Sequence, residues 1–66
     1  MSAIRLHIAE SNFVIREGLK SVFDKLDSVE IVGVTAKSED LKSQIMETNP
    51  QVLLINYDAH DFHASD

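Results

Sequence analysis

The residues able to do chemistry gather at two places in this 66-residue sequence. Glu10 and Ser11 follow a short apolar stretch near the start, and Asn56, Tyr57 and Asp58 follow a second, "VLLI", near the end. Carboxylates that meet at strand ends bind hard cations such as magnesium or attack phosphoryl groups as nucleophiles. The second stretch ends instead on the carboxamide of Asn56, which carries no anionic oxygen for either task. The closing segment "YDAHDFHASD" offers a different donor set. There His60 and His63, with Asp58, Asp61 and Asp66, supply imidazole and carboxylate groups of the kind that hold zinc. No helical period sets the two histidines on one face, and ordering an acidic tail costs entropy, so the segment reads as the loop after the last strand with no metal expected.

The elements that must position these groups follow from the pattern of apolar residues. In Ile4 to Ala9, Ile4, Leu6 and Ile8 alternate with Arg5 and His7, the period of a strand. Ser11 or Asn12 can cap the helix that comes next, where Ile15, Leu19, Val22, Phe23 and Leu26 recur on one face. Gly18 inside that helix suggests close packing against a neighbour. Val29 to Thr35, "VEIVGVT", is rich in β-branched residues and forms the second strand. Ser38 is the expected cap of a second helix, with Glu39 and Asp40 in its first turn, where the helix dipole favours acids, and Leu41 and Ile45 as its apolar stripe. Asn49 and Pro50 end it, and the unbroken run Val52 to Ile55 predicts a third strand buried on both faces.

Strand, helix, strand, helix, strand is a β-α-β-α-β unit. With right-handed crossovers it makes the α/β half of a flavodoxin-like, doubly wound parallel sheet, strand order 2-1-3. The crevice beyond the C-terminal ends of the first and third strands is then the topological switch point, with Glu10, Ser11, Asn56, Tyr57 and Asp58 at its mouth. His7, on the central strand, is expected to be a hydrogen-bonded core or interface histidine rather than a switch. Glu10 by itself reads as a solvated loop acid, and Ser11 as a helix cap. Arg16, Glu17, Asp24, Asp27, Glu39 and Asp40 read as solvated helix and loop faces.

Charge and composition exclude several functions. Eleven acidic against six basic residues give a net charge of -5, which opposes binding to a phosphate backbone. The sequence has no cysteine, so disulfides and thiolate zinc sites are ruled out and a reducing, cytoplasmic setting is expected. It has no apolar run of membrane-spanning length, so no membrane role is expected. No glycine-rich phosphate loop, nucleophile with base or catalytic carboxylate pair is present, and the chain does not read as an enzyme.

"IRLHIAESNFVIREGLKSVF" followed by "VEIVGVTAKSEDLKSQIMETNPQVLLIN" resembles the first half of the receiver domain of NarL/FixJ-type response regulators, without a gap over roughly residues 3 to 62. The "REGL" of the first helix, the "VG" of the second strand and the proline opening the third stand in register. The resemblance implies an acidic pair after the first strand and a phosphoacceptor aspartate at the end of the third. This chain has Glu10 and Ser11 at the first place and Asn56 at the second. With only Glu10 left of three charges, magnesium binding is expected to be weak or lost and no cofactor is expected, which makes residues 1–66 a truncated pseudo-receiver that is not phosphorylated.

Two alternatives stay open. Asp58, two residues on, is a displaced acceptor, although its carboxylate would sit about 7 Å further along an extended chain. The other is a metal- or ligand-binding half-domain that uses the His60/His63 tail. The resemblance further implies a helix-turn-helix output domain downstream, so that DNA is reached only through it, with another regulator or a histidine kinase as a further partner. A receiver also continues with strands and helices that this chain lacks. The third strand and first helix should therefore lack neighbours, and a dimer is expected, formed by strand-edge pairing or exchange of elements.

Overall fold

The computed structural model describes residues 3–56. The alternating segment Ile4–Ala9 is strand β1, followed by helix α1 (Phe13–Asp24), strand β2 (Val29–Thr35), helix α2 (Ser38–Thr48) and strand β3 (Val52–Ile55). The three strands are parallel in the order β2-β1-β3, the half flavodoxin-like arrangement expected from the sequence. Right-handed crossovers that run in opposite directions from β1 and β2 set α1 and α2 on opposite faces of the sheet.

Asn12, not Ser11, caps α1. Its backbone is extended (φ -76, ψ 122) and its side-chain oxygen accepts from the Ile15 amide at 3.0 Å, satisfying one of the free donors of the first turn. Leu26 stands past the end of the helix, in the turn, where its amide donates to the Phe23 carbonyl at 3.1 Å. The expected cap of α2 is also displaced. Ser38 is already helical, and Lys37 holds the cap position without a side-chain hydrogen bond, while Glu39 and Asp40 occupy the first turn as expected. Asn49 ends α2 in the left-handed region at φ 49, which asparagine tolerates, and its amide closes on the Ile45 carbonyl at 2.8 Å.

Burial is concentrated in the last four residues of β1 and its immediate neighbours, while Ile4 and Arg5 at its start are exposed. Leu6, Ile8 and Ala9 are the buried apolar residues among those described, with His7, Glu10 and Thr35 as buried polar ones. No residue of α1 or α2 is fully buried. The expectation that β3 is buried on both faces is overturned: Val52 is 47% and Leu53 37% exposed. The reason is position. β3 is a sheet edge and, among the described residues, neither helix packs on it, so an apolar run that would suit a covered central strand lies open here. Gly18 also departs from expectation, since a Cβ there would meet nothing within 4 Å. Glu17, Asp24, Asp27, Glu39 and Asp40 are exposed, as expected. No helix among the described residues is long and apolar enough to cross a membrane.

Pairing of β1 with β2 is irregular at one point. Leu6 faces Ile31 and His7 faces Gly33, so Val32 has no partner across the ladder and forms a bulge. The bulge brings Gly33, rather than a residue with a side chain, beside His7. A Cβ at Gly33 would lie 2.6 Å from His7 Nδ1, 2.7 Å from Cε1 and 3.0 Å from Thr48 Cγ2.

Candidate functional site

The C-terminal ends of β1 and β3 bring Glu10 and Asn56 together, as the topology requires. Asn56 extends the β1–β3 ladder, its amide donating to the Ala9 carbonyl at 3.2 Å, and its carboxamide Nδ2 donates to Glu10 Oε1. The second carboxylate oxygen of Glu10 accepts from the Asn12 amide at 2.9 Å. The backbone of Glu10 is engaged as well: its amide donates to the Thr35 carbonyl at 3.0 Å and its carbonyl accepts from Arg16 Nη1 at 3.1 Å. Glu10 is only 1% exposed. The reading of it as a solvated loop acid is therefore corrected, because N–H donors from three separate positions take the place of water.

Arg16 is more than a solvated helix residue. It ties the Glu10 and Ser11 carbonyls, the latter at 3.2 Å, to the first turn of α1, and its guanidinium lies 5.5 Å from the centre of the Phe13 ring. Ser11 contributes its carbonyl to this clamp. Glu17 pairs with Lys20 at 3.1 Å on the exposed side of the same helix, a contact worth little energetically.

Chemically, among the described residues the strand-end cluster holds one carboxylate, with an N–H group against each oxygen. That donor set does not suit magnesium, which needs several hard oxygen ligands in near-octahedral array. Among the described residues no group of three or more His, Asp, Glu or Cys side chains could hold a metal ion. Asp58, His60, Asp61 and His63 lie outside the described residues, as does Tyr57.

A second polar cluster lies under α2, centred on His7, which is fully buried. His7 Nε2 is 2.6 Å from Thr35 Oγ1, and Nδ1 is 3.0 Å from Thr48 Oγ1. The Thr35 hydroxyl is also 2.8 Å from the side-chain oxygen of Gln44, and the Thr48 hydroxyl donates to the Gln44 carbonyl at 2.9 Å. Arg5 Nη2 adds a donor to the Thr48 carbonyl. Burial pushes the imidazole below its ordinary value of 6.5. The expectation of a hydrogen-bonded core histidine is met. Its partners were not foreseen, although Thr35 and Gln44 stand nine apart in sequence and Thr48 one helical turn beyond Gln44.

No family model, curated protein or solved structure matches this chain.

Proposed function

We propose that this chain is a receiver-derived regulatory and dimerisation module, of two-component type, that works in the cytoplasm without phosphate chemistry. The observation that carries the reading is the pairing of Asn56 with Glu10. Where a phosphorylatable receiver would need a carboxylate nucleophile and a metal, the end of β3 offers an amide whose N–H donates to the one remaining carboxylate. Both oxygens of that carboxylate are thus taken up by N–H donors. The cluster resembles an input site that has become a structural joint between β1, β3 and α1.

Output then has to pass through surfaces rather than through a phosphoryl group. β3 is an uncovered edge without a charged residue in "VLLI", and Phe13, Val14, Ile15, Val22 and Met46 are exposed apolar side chains. Pairing β3 with the β3 of a second copy would satisfy the edge and bury part of that surface. A DNA-binding output domain would belong to sequence beyond this chain.

Incubation with radiolabelled acetyl phosphate and magnesium tests the chemistry. No label is expected, and label on the wild-type chain would overturn the phosphate-free reading; its loss in Asp58→Ala would assign the displaced acceptor. Light scattering at micromolar concentration tests the surfaces. A dimer is expected, and a monodisperse monomer would contradict it.

A further inference from the structure

We propose that Gln44 is a two-position carboxamide, turning over when His7 gains or loses its second ring proton, so that the cluster under α2 stays fully paired in both charge states. The argument is a count of donors. The Thr48 hydroxyl donates to the Gln44 carbonyl, which can only accept, so toward His7 Nδ1 the same oxygen must accept. Nδ1 therefore carries a proton throughout. Nε2 is different, because its partner Thr35 also faces the side chain of Gln44. With the Gln44 oxygen toward Thr35, the hydroxyl donates to Gln44 and must accept from Nε2–H, which makes His7 an imidazolium. With the amide group of Gln44 toward Thr35, the hydroxyl accepts from Gln44 and donates to a bare Nε2, which makes His7 neutral. The oxygen and nitrogen ends of a carboxamide have the same outline, so a half turn exchanges the two states with little movement of other atoms.

The surroundings leave this choice to Gln44. The residues facing His7 in register are Gly33 on β2 and Leu53 on β3, neither titratable. From α2 the facing groups are Gln44 and Thr48, both neutral. On its own strand Arg5 lies two residues back with its guanidinium donating to the Thr48 carbonyl, and Glu10 lies three residues on, engaged by Asn12 and Asn56. Among the described residues no carboxylate bonds to the imidazole, whose ring nitrogens face Thr48 and Thr35. Desolvation of the ring favours the neutral state at neutral pH, so acidification turns the amide and reverses the bond between β2 and α2 without breaking it.

Long-range proton–nitrogen NMR of the full chain decides the matter. We expect a neutral His7 protonated on Nδ1, and Gln44 side-chain NH2 signals that move with the same midpoint as the ring when pH is lowered. A neutral ring protonated on Nε2, or Gln44 signals that ignore the titration, would overturn the proposal. A second variant sharpens it. Gln44→Glu presents a group that only accepts and should raise the His7 midpoint by about one pH unit or more; an unchanged or lowered midpoint would count against it. The wild-type measurement stands even if that variant folds poorly.

Discussion

The two faces of β1 are finished in opposite ways. Under α2 the sheet buries a closed polar cluster in which His7, Thr35, Gln44 and Thr48 all find partners. On the α1 side the packing is apolar but incomplete, and Ile15 and Val22 remain 42% and 59% exposed. The difference teaches what each face tolerates. A buried hydrogen-bond network is intolerant of added atoms or missing partners, since every donor has one acceptor in reach. A half-covered apolar face accepts change at little cost until something binds it.

The same substitution on the two sides should break this comparison most sharply. Gly33→Ala drives a methyl group into the His7 ring and Thr48 and should destabilise the chain by about 2 kcal/mol, read as a lower midpoint in urea. Gly18→Ala meets nothing and removes glycine from a helix interior, so it should stabilise by about 1 kcal/mol in the same assay. Equal effects would remove the contrast. Next comes pH. Because the folded chain holds the His7 pKa below 6.5, the unfolded chain binds more protons as pH falls through that value. Stability contributed by the neutral ring is thus present above 6.5 and lost on acidification down to the folded pKa, which thermal melts across that range should show and which His7→Phe should remove. The smallest effect is expected at Val22→Ser, within about 0.5 kcal/mol for the dilute chain. A larger loss that appears only at high concentration would place Val22 in an interface.

Much of the fold was legible because local pattern and tertiary role agree. The alternation of Ile4, Leu6 and Ile8 and the β-branched run from Val29 mark strands that the structure reproduces residue for residue. Asn49 before Pro50 marks the end of α2 for a local reason too. The misreadings of Glu10, β3 and Gly18 share a cause, which is dependence on distant partners, whereas those of Ser38 and Leu26 are shifts of a residue or two at helix ends. Glu10 looks solvated in sequence because Asn56, which engages its carboxylate, is 46 positions away. β3 looks like a central strand because an apolar run carries no mark of how many neighbours it has. Gly18 and Gly33 are alike in sequence, and only the approach of the His7 ring separates them. At the candidate site the sequence singled out Glu10 and Asn56 but not the Arg16 clamp or the Asn12 amide, because the groups the Arg16 guanidinium reaches, and the Asn12 donor, are backbone groups that leave no mark in residue type.

Val32 gives the second strand a spare length. β2 has seven residues and β1 six, and the surplus falls at the bulge. Removing Val32 would leave Ile31 opposite Leu6 and Gly33 opposite His7, with all six cross-strand pairs intact and the local kink relaxed. Removing either neighbour instead would seat the wrong residue beside Leu6 or His7. The strand can therefore be shortened at one position without changing which residues meet, and its tolerance of deletion is set by geometry rather than by exposure.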